Sequence, residues 1–294
     1  NTLGFSSFHR GLHGIFWHLD TMPGPVAVVS QSGGVGTAIG QCLRRLHCGL
    51  SHFVGAGNCS VVDFGDYLEV LQDKPEVKTF CLFIEGLQDP RAFYETARRV
   101  ALKKPIVVYK AGKNEEVSRA TATHTGSLTG EYDLYRAMFR QAGLIELDSC
   151  WDAAVAAKAL SMLPPTQGNR LCALTFTAGP SIVAMDKLLS EGWQLPELSP
   201  TTKEKIRAII GEKTPVEIQN PVDLTGPGFL PYTYSRVLQA LLEEPYDAYF
   251  LVWNYNRLIR LPIPELQHLQ EITAKPLVHV LLANQYEVQS DLEE

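Results

Sequence analysis

From Val26 to Ala142, short apolar runs and helix-period segments take turns along the chain, and no other feature restricts the fold as much. Val26–Ser30 is an apolar run, Gln31-Ser32-Gly33-Gly34-Val35-Gly36 is a glycine turn, and Thr37 to Leu46 carries a helical pattern. Strand, glycine turn and helix in that order form the first half of a βαβ unit. The pattern recurs with strands at Phe53–Gly55, Thr79–Ile84 and Ile106–Tyr109 and helices at Phe64–Gln72, Pro90–Ala101 and Tyr132–Ala142. Alternation of this kind predicts an α/β fold with a parallel sheet, helices on both faces, and ligands at the C-terminal ends of the strands.

A second series follows Leu163-Pro164-Pro165-Thr166-Gln167-Gly168-Asn169, whose prolines and polar residues read as a linker. It comprises strands at Leu171–Phe176, Tyr249–Trp253 and Leu277–Leu282 and helices at Ile182–Glu191, Thr201–Ile210, Thr233–Leu242 and Pro264–Ala274. The turn Thr177–Ser181 echoes the one after Ser30. The expected organisation is a linker over 1–22, one α/β domain over 23–165 and a second over 166–294. The opening stretch to Met22 has no sustained period, and the first residue is Asn1, which reads as a start partway through a longer protein.

Apolar residues make up 45% of the 294 and charged ones 20%, the balance of a soluble globular protein. No run approaches the roughly 18 unbroken apolar residues of a membrane span, and no signal peptide is visible, so the chain reads as cytoplasmic. A net charge of -6 without a basic block argues against nucleic acid. Cys42, Cys48, Cys59, Cys81, Cys150 and Cys172 lack C-x-x-C spacing and read as buried thiols rather than a disulfide or zinc framework. The histidines show no metal-ligand spacing.

Several residues stand where chemistry can occur. Ser30-Gln31-Ser32-Gly33-Gly34 can cradle a phosphate on free N–H groups at a helix start, although glycine there also serves geometry alone. It is neither a Walker A loop nor a clean dinucleotide fingerprint. Ala178, Gly179 and Ser181 occupy the matching turn of the second domain, with Pro180 suited to a first helical turn; a well-capped structural helix explains them equally well. Glu85 ends an apolar strand, where burial requires a partner. His124 lies in Arg119–Gly130 among small residues and hydroxyls, placed either as a nucleophile on a movable loop or as a surface histidine without a task. Asp223 follows Asn220-Pro221-Val222 in a rigid turn, where it can bond backbone amides. Asn58, Asp63 and Asp66 can contact a ligand, or an aspartate can cap the next helix.

Taken in order, Ser30–Gly34, Gly57-Asn58 with Asp63-Phe64-Gly65-Asp66, Phe83–Leu87, Lys110–Lys113, Thr123–Gly126 and Asn220–Asp223 resemble the nucleoside-diphosphate-forming acyl-CoA synthetase family, which includes ADP-forming acetyl-CoA synthetase and, more distantly, succinyl-CoA synthetase. The resemblance runs from about Pro23 to the C-terminus. It implies two flavodoxin-like, succinyl-CoA synthetase-like domains. It also implies that acyl-CoA, phosphate and ADP are interconverted with carboxylic acid, CoA and ATP through an acyl phosphate and a phosphohistidine. His124 matches the phosphorylated histidine and Glu85 the acid that orients it. Ser32, Gly33 and Gly34 match one helix start aimed at the phosphohistidine, and Ala178, Gly179 and Ser181 the other. Val252–Arg257 would lie near the acyl end. The implied ligands are CoA, phosphate, and ATP or ADP with Mg²⁺, bound mainly by a CoA-binding domain and an ATP-grasp domain or subunit that this sequence lacks, in an oligomer. The fragment alone is then expected to be inactive. The rival reading is a catalytically silent regulatory or CoA-binding module of a protein acetyltransferase; the presence of both Glu85 and His124 favours the enzyme.

Overall fold

A computed structural model describes residues 2–16, 18–114, 132–254 and 261–283. The chain divides into two compact units, Asn1–Met162 and Leu163–Glu294. In the first, the elements in order are β1 (Gly4–Ser7), β2 (Leu12–Ile15), β3 (Pro23–Ser30), α1 (Gly33–Arg45), β4 (Leu50–Gly55), α2 (Phe64–Leu71), β5 (Thr79–Ile84), α3 (Pro90–Ala101), β6 (Ile106–Lys110), α4 (Tyr132–Ala142), β7 (Ile145–Leu147) and α5 (Cys150–Met162). They build one sheet in the order β2-β1-β4-β3-β5-β6-β7. Strands β4-β3-β5-β6-β7 are parallel. Taken in chain order they are the second, first, third, fourth and fifth, which is the flavodoxin-like arrangement with its switch point between β3 and β5.

The apolar runs are continuous because both sheet faces are covered. Val26 and Val28 pack with Ile39, Leu43, Ala153 and Ala157 on the side of α1 and α5. Their neighbours Ala27 and Val29 pack with Phe64, Leu68, Phe93 and Phe139 on the side of α2, α3 and α4. Gly36 lets α1 lie close over the end of β3, since a Cβ there would come within 2.7 Å of the Ser30 Cβ. The aperiodic N-terminal stretch is a hairpin, and β1 extends the sheet by antiparallel pairing with β4.

Helix α2 begins with a capping box. Asp63 accepts from the Phe64 N–H at 2.7 Å, and Asp66 accepts from the Asp63 N–H at 2.8 Å. This settles the role of Asp63 and Asp66 as helix caps. Asp63→Ala is expected to lower stability by about 1 kcal/mol, within the 0.5–2 of lost N-caps; an unchanged urea midpoint would show that the box contributes nothing.

The second unit comprises β8 (Leu171–Thr175), α6 (Ala178–Ser190), α7 (Pro200–Ile210), β9 (Val222–Asp223), α8 (Pro231–Leu242), β10 (Ala248–Asn254), α9 (Ile263–Ile272) and β11 (Leu277–Leu282). Its parallel sheet runs β11-β10-β8-β9, again with the first strand between the second and third. Cys172 and Leu174 join a core with Tyr234, Leu238 and Trp253. Leu171 and Ala173 pack on the other face with Met185 of α6. The six cysteines are unbridged, and burial and the neighbouring Asp63 raise the Cys59 thiol pKa to about 12. Among the described residues no helix is long and apolar enough to cross a membrane.

Candidate functional site

In the first unit the site is built at the switch point, where β3 and β5 end side by side. Ser30 Oγ donates to the Ser32 carbonyl at 2.6 Å, folding the chain tightly off β3. Ser32 then caps α1, its Oγ accepting from the Val35 N–H at 3.3 Å. Gly33 and Gly34 fall in the first turn, where helix N–H groups lack intrahelical acceptors. A Cβ placed on Gly34 would meet only Ser32 Oγ, at 3.9 Å, so the backbone there is open to close approach. The first turn holds no acidic side chain to offset the positive helix end.

Glu85 directly follows β5, and its backbone is held by side chains from other elements. Gln31, buried at 6% exposure, bridges from the glycine turn: its Oε1 accepts from the N–H groups of Glu85 at 2.6 Å and Gly86 at 3.0 Å. Its Nε2 has no hydrogen-bond partner among the described residues. The Gln31 N–H in turn donates to the Phe83 carbonyl at 3.2 Å. From β6, the buried Lys110 donates through Nζ to the Glu85 carbonyl at 2.9 Å and to the Ala111 carbonyl. The Leu87 N–H donates to the Tyr135 hydroxyl of α4 at 3.1 Å. Lys110 also stands 4.6 Å over the Tyr135 ring. Desolvation lowers the Lys110 pKa to about 8, opposed by the negative charges of Glu85 and Glu146.

In the second unit β8 ends in the same way. Thr175 Oγ1 donates to the Thr177 carbonyl and accepts its N–H, both at 2.9 Å, which repeats the turn at Ser30 with a threonine. Helix α6 starts at Ala178, so Ala178, Gly179 and Ser181 belong to its first turn rather than to a turn preceding it. Thr177 makes no side-chain cap bond, and a Cβ on Gly179 would meet nothing within 4 Å. Ser181 is buried at 1% exposure with Oγ unpartnered among the described residues. A buried hydroxyl without a partner is costly unless a ligand supplies one. Pro180 has no N–H, leaving Ala178, Gly179 and Ser181 as the donors of this turn.

Asn220 is a scaffold residue. Its Oδ1 accepts from the Ala173 N–H at 3.1 Å, and its Nδ2 donates to the Leu171 and Pro196 carbonyls at 2.8 and 3.0 Å. Asp223 accepts the Thr225 N–H at 2.9 Å, the backbone role read from its turn. Trp253 is buried against Tyr234, with ring centroids 3.6 Å apart, while residues 255–257 lie outside the described residues.

Ser32, Gly33 and Gly34 therefore share one strand-end site with Glu85, and Ala178, Gly179 and Ser181 share another within the second unit. His124 lies outside the described residues. In the sequence Gln31 and Lys110 stand inside motifs without a visible task of their own. The available signal was a lysine closing an otherwise apolar strand, and an amide where glycine would suffice for a turn.

Residues 23–160 match the family described as succinyl-CoA ligase like flavodoxin domain. The chain is 35% identical over 245 residues to the alpha subunit of ADP-forming acetate–CoA ligase II of Pyrococcus furiosus, covering 83% of this chain and 52% of that protein. It is 37% identical over 216 residues to the alpha subunit of ADP-forming acetate–CoA ligase I of the same organism, covering 73% and 46%. It thus spans about half the length of these curated relatives. Among solved structures, the dinucleotide forming acetyl-coenzyme A synthetase 1 of Ca. Korarchaeum cryptofilum, in complex with phosphate and ADP, aligns with a TM-score of 0.88 at 29% identity, over all of this chain and 64% of that one.

Proposed function

The chain belongs to the nucleoside-diphosphate-forming acyl-CoA synthetase family, and from that premise we propose that it carries the phosphoryl-transfer centre of an ADP-forming acyl-CoA synthetase. The reaction runs in three balanced steps. A phosphate oxygen attacks the acyl-CoA thioester carbonyl and CoA leaves as the thiolate. An imidazole nitrogen of His124 attacks the acyl phosphate phosphorus and the carboxylate leaves. A terminal phosphate oxygen of ADP then takes the phosphoryl group from His124, giving ATP and free imidazole.

Each named residue has a part in this scheme. Glu85 orients the imidazole and stabilises the positive charge that develops as it attacks. Ser32, Gly33 and Gly34 supply amides and a hydroxyl at the open end of α1. Ala178, Gly179 and Ser181 supply a second set at the start of α6. Preorganised N–H groups and helix ends compensate phosphoryl charge without moving during the reaction. Among the described residues no three His, Cys, Asp or Glu side chains gather as a metal site, and Mg²⁺ would accompany the nucleotide. CoA and nucleotide would be held by CoA-binding and ATP-grasp domains or subunits of an oligomer, in the cytoplasm where both cosubstrates are abundant.

The observation that carries the reading is the pair of Gln31 hydrogen bonds to Glu85 and Gly86, which ties the strand-end acid to the glycine turn opening α1. The complete protein with its partner domains, given acyl-CoA, phosphate and ADP, is expected to form ATP, CoA and carboxylic acid in equal amounts. Absence of phosphate-dependent ATP formation across a panel of acyl-CoAs would move the chain to the silent-module class.

A further inference from the structure

We infer that Gln31 and Lys110 are positioning residues that clamp the Glu85 peptide from both sides and so set the direction of its carboxylate; the inference rests on the phosphohistidine reading above. The Glu85 N–H is taken by Gln31 Oε1 at 2.6 Å, and the Glu85 carbonyl receives Lys110 Nζ at 2.9 Å. Both side chains are buried, Lys110 at 2% and Gln31 at 6% exposure; Lys110 ends β6 and Gln31 directly follows β3, the two strands that flank β5 in the sheet.

An ordinary strand end needs neither device. Backbone groups beyond the last ladder bond of a parallel strand are usually met by water, at no desolvation cost. Here a cation is buried to do that work, and its pKa is depressed as a result. The Gln31 amide meanwhile spends its one acceptor on two adjacent N–H groups of the loop. The Leu87 N–H on Tyr135 completes the set, so Glu85, Gly86 and Leu87 each donate to a side chain rather than to another backbone group. A backbone fixed in this way transmits its orientation to the side chain it bears. A positioning error of about 1 Å in a phosphoryl-transfer site is enough to slow chemistry by about 10²-fold.

The test uses the complete protein and measures, by rapid quench, the rate of acid-labile phosphorylation by ATP and Mg²⁺. Gln31→Met and Lys110→Met keep size while removing the clamp's acceptor and donor. Each is expected to slow phosphorylation by about 10- to 10²-fold. The deciding readout is a double-mutant cycle with Glu85→Gln. If the clamp acts through Glu85, adding either variant to the Glu85→Gln protein changes the rate by no more than about twofold, because the step it serves is already lost. Rates that multiply in the double variants, or single variants with wild-type rates, overturn the inference. So does failure of both Met variants to fold, which would make Gln31 and Lys110 part of sheet stability alone. The underlying reading is judged separately, by whether wild-type protein labels and His124→Asn does not. Labelled wild-type protein with unaffected clamp variants rejects the clamp and leaves that reading standing, whereas unlabelled wild-type protein rejects both.

Discussion

Replacing His124 with Asn is expected to abolish both the acid-labile phosphoryl group and net ATP formation, with turnover falling by a factor on the order of 10⁴ to 10⁶, the scale seen when an obligatory nucleophile is removed. Asparagine keeps a similar size and a hydrogen-bonding amide, but its nitrogen has no available lone pair for attack on phosphorus. The first half of the proposed reaction does not need the imidazole. Exchange of phosphate into acyl phosphate with release of CoA should therefore persist in the variant, which separates a missing nucleophile from a collapsed protein. A His124→Asn protein that still acquires label and still turns over would place the phosphoryl carrier elsewhere.

The second large effect is expected at Glu85. Its carboxylate is proposed to hold one imidazole nitrogen, so that the other attacks, and to stabilise the positive charge that grows on the ring. Glu85→Gln keeps the shape and one acceptor but removes the charge. Phosphorylation should slow by about 10² to 10⁴, as for other positioned acid–base partners. The fold should hold, because the Glu85 backbone contacts to Gln31 and Lys110 do not involve its side chain. Rapid-quench kinetics on a protein with an unchanged thermal melt decide the matter. A wild-type rate would reduce Glu85 to a strand-end acid with a structural role.

The two substitutions differ in kind. In the proposed reaction, loss of His124 would remove a covalent intermediate, whereas loss of Glu85 would raise the barrier to forming it. Single-turnover labelling distinguishes them: the first variant gives no phosphoenzyme at any time, and the second gives the wild-type amount late.

Much of the scaffold was legible because its causes are local. The helix boundaries at Pro90–Ala101 and Tyr132–Ala142 agree with the structure, and at α3 the Asp89 cap and the following proline are both written in adjacent residues. The strand Thr79–Ile84 stood out as an apolar run because side chains on both its faces are removed from water, and Leu277–Leu282 stood out on composition alone, since only Leu277 of it is buried. The glycines at 33 and 34 marked the end of β3, but they lie within the first turn of α1, which begins four residues before the helical pattern at Thr37. In each case the residue and its effect lie within a few positions of one another.

What stayed hidden depends on residues far apart in the chain. The N-terminal hairpin carries no clear alternation, since Leu12 and Phe5 are exposed and its stability comes from pairing with β4, about fifty residues on. The short strands β7 and β9 owe their existence to β6 and β8 in the same way. The roles of Gln31, Lys110, Tyr135 and Asn220 were equally invisible. Each satisfies backbone groups 25 to 54 positions distant, and a sequence does not print who will be left without a partner once the strands align. By itself the sequence determined the class of fold and the place of the strand ends, because spacing and residue type suffice for those, while the roles of Glu85 and His124 are implied only by the family resemblance. Only the tertiary structure decided that β3 and β5 end side by side. That adjacency brings Gln31 and Glu85 within 2.6 Å, and with it the buried hydrogen bonds that give the acid a fixed frame.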